Sequence, residues 1–259
     1  MNTWNAPELA AAYGRHTTTL RGALRQALVA RALDLHLPSG QLRILDVGGG
    51  GGHQAVRLAG NGHHVSILDL DAAMLDQARA AWGQTQQTGT STGTVTFLLG
   101  DGEHAPEIAG TGYDAVLCHG VLMYLPDPAP MLRSLVACTR PGGLLSVLTK
   151  HAAALAMRPA LERRPADALA LLDASAETGR LGVASRGHFT ADLNAVLAKA
   201  GATPLAWHGV RIFTDHLGDA PVDSTFQQWF DLEWRAGQQS PYRDVARLIH
   251  LFARATDTS

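Results

Sequence analysis

Five consecutive glycines, residues 48–52, follow directly on the apolar run 43–47 and precede a segment with helical spacing, 54–59. Glycine forgoes roughly 0.5–1 kcal/mol relative to alanine in ordered structure, so such a run suits a place where the main chain must turn sharply or a ligand must approach it closely. Strand, glycine loop and helix together predict the first βα unit of a nucleotide-binding α/β domain. The dinucleotide fingerprint needs small residues at the first, third and sixth positions. Counted from Gly48 the sixth position is His53, and counted from Gly49 it is Gln54, so a nicotinamide or flavin dinucleotide is disfavoured.

The rest of the chain repeats the alternation. Apolar runs at 64–70, 95–99, 113–118 and 144–149 read as strands, with helices over 72–82 and 131–139 and a polar loop over 84–94. Further strands are expected at 205–213 and 248–253, a helix at 191–200 and a helical segment carrying Trp229 and Trp234. The pattern predicts a Rossmann-like α/β fold, a seven-stranded and mostly parallel sheet with helices on both faces. A helix over 7–36 precedes it, and an Ala/Leu/Arg-rich helical segment, 152–172, with the polar stretch 177–186 reads as a lid. The expected organisation is a helical cap (1–40), a cofactor-binding core (41–150), a lid or substrate insertion (151–190) and the remainder of the sheet (191–259).

The 259 residues carry a formal net charge of −2 and are 46% apolar, ordinary for a globular enzyme and without the bulk charge that draws phosphate backbones or anionic lipids. Two cysteines, Cys118 and Cys138, are too few for a disulfide framework or a zinc site, and no metal is called for. No run of about 18 apolar residues is present, so a cytoplasmic protein without a membrane partner is expected. Oligomeric state has no signature.

Glycines at the first, third and fifth positions, Gly48, Gly50 and Gly52, with Asp46 two residues ahead, resemble motif I of class I methyltransferases. The resemblance implies S-adenosylmethionine as cofactor, its amino-acid moiety against Gly48, Gly49 and Gly50 and its positive charge near Asp46. Asp69 stands at the end of the second strand, where a carboxylate can accept both ribose hydroxyls, with Leu70 placed for the adenine face and Asp71 as a helix N-cap. Asp101, Gly102 and Glu103 follow the third strand, where family members contact adenine. His119 follows the fourth, near the expected methyl donor, as a positioning group or a general base.

Beyond this motif the chain resembles the bacterial tRNA 5-carboxymethoxyuridine methyltransferases and their uncharacterised relatives. The resemblance rests on Leu24-Arg25-Gln26-Ala27, His119 with Val121-Leu122, Arg140-Pro141-Gly142-Gly143, Gly209-Val210-Arg211 with Phe213 and Asp215, Leu232-Glu233, Pro241-Tyr242 and Ile249-His250. It implies Arg25 on the cofactor carboxylate. It departs at Met123 and Tyr124, around Thr149 to His151, and in the lid, where scattered arginines such as Arg158, Arg163, Arg164 and Arg180 are diluted by Glu162, Asp167 and Glu177. The expected activity is direct in-line methyl transfer to a small molecule or modified nucleoside, with Tyr124, His151 and Arg211 as acceptor contacts. The aromatic rings of Tyr124, Trp207, Trp229 and Trp234 are candidates to stack on a planar acceptor. Two alternatives stand beside it: carboxyl methylation of the tRNA wobble nucleoside, and a cofactor-binding protein with other chemistry.

Overall fold

The computed structural model describes residues 18–87, 89, 92–178 and 182–256. Helix α1 (Leu20–His36) comes first, capped by Thr19, whose hydroxyl accepts from the Gly22 N–H at 3.3 Å. Residues 7–17 of the expected helix lie outside the described residues, as does Arg180.

Strands β1 (Arg43–Val47), β2 (His64–Asp69), β3 (Thr94–Leu99), β4 (Tyr113–His119) and β5 (Thr139–Lys150) pair in parallel. A short antiparallel hairpin, β6 (Ala176–Thr178) and β7 (Ala184–Arg186), stands apart from them. Strands β8 (Ala202–Val210) and β9 (Leu248–Ala255) complete a seven-stranded sheet in the order β3-β2-β1-β4-β5-β9-β8, with β9 antiparallel to both neighbours. The central strands are apolar without alternation because both faces are covered. Ile44 and Leu117 enter the core on one face, while Leu45 and Val116 enter the core on the other. Helices α1, α2 (His53–Gly60) and α3 (Ala72–Gln87) cover the first face through Leu24, Leu58 and Leu75. The second face is covered by α4 (Ala105–Ala109), α5 (Ala129–Cys138) and, among later elements, α8 (Thr190–Lys199), through Ala105, Leu135 and Leu197.

The segment 152–172, expected to be helical, is helical in pieces. Its chain breaks into short turns, α6 (Met157–Leu161) and α7 (Pro165–Leu171), because Pro165 cannot continue a helix and Arg163 takes φ +60° between them. The polar stretch 177–186 supplies the β6–β7 hairpin. Helix α3 runs on to Gln87, past the expected end at Trp82, since glutamine and threonine on an exposed face do not stop a helix. No described helix is long and apolar enough to cross a membrane.

Strand β8 ends at Val210, before the expected 213, and Arg211 takes φ +62° as the chain leaves the sheet. The departing segment is held from α9 (Phe226–Ala236) by Glu233, which is fully buried. Its carboxylate accepts from the N–H groups of Ile212, Phe213 and Thr214 at 2.7, 3.0 and 3.1 Å and from the Thr214 hydroxyl at 2.8 Å. Burial raises the Glu233 pKa and these bonds oppose the rise. Glu233→Ala would strand these donors without partners, so a loss of about 3 kcal/mol or more is expected in urea unfolding. Glu233→Gln, which keeps an acceptor oxygen, should lose less; a loss below about 1 kcal/mol for the alanine variant would show that the carboxylate does not hold this segment.

Candidate functional site

The chain runs from β1 outward through β2 to β3, then returns to place β4 on the other side of β1. The loops leaving β1 and β4 therefore diverge, and open α/β sheets bind ligands at that point. A cavity of about 1120 Å³ lies there. Its lining comes from loops after successive parallel strands: Gly48, Gly49 and Gly50 after β1, Asp69 and Leu70 at β2, Asp101, Gly102 and Glu103 after β3, His119 at β4 and Lys150 at the end of β5. Arg211 after β8 and Arg247 before β9 join them, since β8 runs in the direction of β5 and β9 against it.

The glycine spacing has a conformational meaning. Gly48, Gly50 and Gly52 take φ +66°, +54° and +78°, values that side-chain-bearing residues seldom adopt. Gly49 is held for space, since a Cβ there would sit 2.9 Å from the Asp46 carboxyl carbon. The amides of the three positive-φ glycines turn inward. Gly48 N–H donates to the Leu68 carbonyl at 2.7 Å, Gly50 N–H to Asp69 Oδ2 at 2.8 Å and Gly52 N–H to the Gly49 carbonyl at 3.0 Å. These three N–H groups thus brace the loop.

Asp69 is fixed at both oxygens, Oδ2 by Gly50 and Oδ1 by the Asp71 N–H at 2.9 Å, which leaves lone pairs for a further donor on each. Asp71 in turn accepts from Ala73 N–H at 2.8 Å, the capping role expected of it. Leu70 is 48% exposed beside the cavity, an apolar surface for a flat ring. Asp101 accepts from the Glu103 N–H at 3.0 Å and so starts the turn that carries Gly102 and Glu103. Burial, then the charge of Asp69, pushes the Asp46 carboxyl up to about 7, with Arg25 opposing. Asp46, Asp69, Asp101 and Glu103 set against Arg25 leave this half of the cavity suited to a cationic ligand, the chemistry a sulfonium and an ammonium group present.

His119 sits between the halves. Its Nε2 is 2.9 Å from Ser146 Oγ, which is 2.8 Å from His250 Nε2. Burial first, then Arg25, lowers its pKa to about 3, so the ring is neutral.

The other half is basic. Lys150, Arg158, Arg211 and Arg247 line it, along with Tyr124. Glu177 on β6 accepts from Lys150 Nζ at 2.7 Å and from Arg247 Nη2, and lies 3.6 Å from Arg158 Nη2. Arg211 pairs with Asp215 at 2.8 Å.

Every cofactor residue expected from the sequence therefore meets in one cavity, with Tyr124 and Arg211. His151 does not. Strand β5 turns Leu148 and Lys150 to the cavity and ends there, while His151 is tied through its backbone to Arg247 and faces the Trp207 ring at 6.0 Å. Trp207, Trp229 and Trp234 are likewise absent from the lining and pack on the core. Lys150 and Arg247 escaped the sequence reading, and Arg158 and Glu177 read as diluted lid charges. Only Lys150 carried a signal, its place at the carboxyl end of a parallel strand.

A methyltransferase-domain family model matches residues 45–147. The chain is 30% identical to the tRNA 5-carboxymethoxyuridine methyltransferase of Escherichia coli strain K12 over 98% of its own length and 97% of that protein's. Among solved structures it is similar to an S-adenosylmethionine-dependent methyltransferase from Mesorhizobium loti, with 23% identity, TM-score 0.59 and coverage of 89% of this chain and 99% of that one. It is similar also to magnesium protoporphyrin IX methyltransferase from Synechocystis with bound S-adenosylhomocysteine, with 18% identity, TM-score 0.59 and coverage of 92% and 86%.

The raised Asp46 has a measurable consequence. A cationic ligand favours the ionised carboxylate, so its binding expels the proton that Asp46 holds below about pH 7. Affinity should be flat above that pH and fall below it, approaching tenfold per unit, and Asp46→Asn should flatten the profile. A calorimetric profile unchanged between pH 8 and 5.5 would remove Asp46 from this role.

Proposed function

Because the chain belongs to the class I S-adenosylmethionine-dependent methyltransferases, in the family of the tRNA 5-carboxymethoxyuridine methyltransferases, we propose that it methylates a small molecule or modified nucleoside held in the basic half of the cavity. The observation that carries this reading is the division of one cavity into an acidic half at the strand-order reversal and a basic half beyond His119. A cytoplasmic setting, where S-adenosylmethionine is a soluble metabolite, is part of the proposal.

Asp69 would hold the ribose, Leu70 and the 101–103 turn the adenine, Asp46 the cationic centre and Arg25 the carboxylate. The inward-turned amides of Gly48 and Gly50 support Arg25 in that last role over the glycine loop. S-adenosylmethionine supplies an already activated methyl group, so the protein's work is alignment and exclusion of water. A neutral His119 with a pKa near 3 suits positioning more than proton abstraction at physiological pH.

The full-length likeness to a tRNA enzyme favours a second reading, methylation of a tRNA nucleoside. The inward orientation of Arg158 weighs against it, because a lid arginine that faces the cavity is withdrawn from the outer surface along which a tRNA backbone would run.

Asp69→Ala should weaken S-adenosylmethionine by about tenfold or more in calorimetry while the fold persists, and unchanged affinity would sink the ribose assignment. With labelled S-adenosylmethionine, label should enter a small-molecule extract ahead of bulk tRNA. Transfer RNA should bind weakly, and tight binding at physiological salt would move the assignment to the tRNA reading.

A further inference from the structure

Among the described residues, the basic half of the cavity gathers four buried cations around two carboxylates. Lys150, Arg158, Arg211 and Arg247 each have side chains no more than 10% exposed, at 6%, 10%, 10% and 4%. Among the described residues, the carboxylates paired with them are Glu177 and Asp215, at 4% and 8%. All four cations line the cavity and neither carboxylate does. The acids stand behind the cations and the cations face the space. Arg247 Nη1 and Arg158 Nε are buried without a hydrogen-bond acceptor, and Glu177 Oε2 and both Asp215 carboxylate oxygens are buried without a hydrogen-bond donor. Buried charge is tolerated when it is paired, and buried guanidinium N–H groups without acceptors are costly.

We propose that this cluster is a receptor for an acceptor substrate bearing two negative charges, a small dicarboxylate or phosphate monoester, whose anionic arm lies across Lys150, Arg158 and Arg247. The inference rests on the methyltransferase reading and names the class of molecule the basic half selects. Arginine presents a planar fork that matches carboxylate and phosphate oxygens in pairs, and Lys150 adds a point charge. The place is right for an acceptor. Leu148 pairs with His119 across β4 and β5, and Lys150 stands two residues further along β5 on the same side. The electrostatics agree with the geometry. Burial first, then Arg247, Arg158 and Arg211, with Asp215 opposing, lowers the Lys150 ammonium to about 7, and burial with Arg158 and Arg21 lowers Arg247 to about 9. An arriving dianion relieves that crowding and returns a proton to Lys150.

The test uses the full chain saturated with S-adenosylhomocysteine, titrated at pH 8 with malonate, methyl phosphate and, as the single-charge control, acetate. Malonate or methyl phosphate should bind at least about tenfold more tightly than acetate, with proton uptake read from the buffer dependence of the heat; whichever binds more tightly identifies the source of the charge. Lys150→Met should weaken that binding about tenfold and abolish the uptake, Lys150→Arg should restore the affinity without the uptake, and both should keep wild-type affinity for S-adenosylhomocysteine. Equal affinity for acetate and both dianions, or a Lys150→Met variant that binds them as the wild type does, would overturn the proposal. A parallel titration without S-adenosylhomocysteine separates the two readings: dianion preference there, with no nucleoside binding, supports the receptor and removes the cofactor assignment.

Discussion

Between β1 and β4 the connections leave the sheet in opposite directions, and the cleft this opens is the constraint on which the rest depends. The loops that line the cavity after β1 to β4 follow from it. The turn after β1 must reverse within a few residues while remaining thin enough to border the cleft, which requires the left-handed conformations of Gly48, Gly50 and Gly52. That turn is then stitched to β2 by the bond from Gly50 to Asp69, so the carboxylate at the end of one strand braces the loop of another.

Charge is sorted along the same cleft. Asp46 and Asp69 stand together near the reversal, where Asp69 disfavours the ionisation of Asp46 and Arg25 favours it. Across His119 the sign inverts, with lysine and arginines facing the space and Glu177 and Asp215 behind them. An acidic half and a basic half in one low-dielectric chamber favour a pair of ligands of opposite charge over either alone. The proposed pairing of a cationic methyl donor with an anionic acceptor fits such a chamber.

The lid contributes through burial. Glu177 reaches from the small hairpin to Lys150 at the end of β5 and to Arg247 at the start of β9, so a segment outside the main sheet closes one wall of the cavity by ion pairing at low exposure. Breaking one partner of such a group leaves the others uncompensated, which ties the wall to the sheet more firmly than the exposed pairs elsewhere on the surface do.

Strand periodicity, glycine spacing and the acids after β1 and β2 were legible in the residue order, because parallel strands buried on both faces read as short apolar runs and because their carboxyl ends are fixed sites in this architecture. Asp46, Asp69, the 101–103 turn and His119 all lie within four residues of a strand end, and that proximity made them readable. The basic half was not legible in the same way. Lys150, Arg158, Glu177, Arg211 and Arg247 span nearly a hundred residues and four separate segments, and in sequence the lid charges look like an ordinary solvated mixture. His151, adjacent to Lys150, looked like the better ligand. Only the pleat of β5, which turns alternate side chains to opposite faces, decided that the lysine enters the cavity and the histidine does not. Local order therefore determined the acidic half, and long-range packing with the burial of charge decided the basic half.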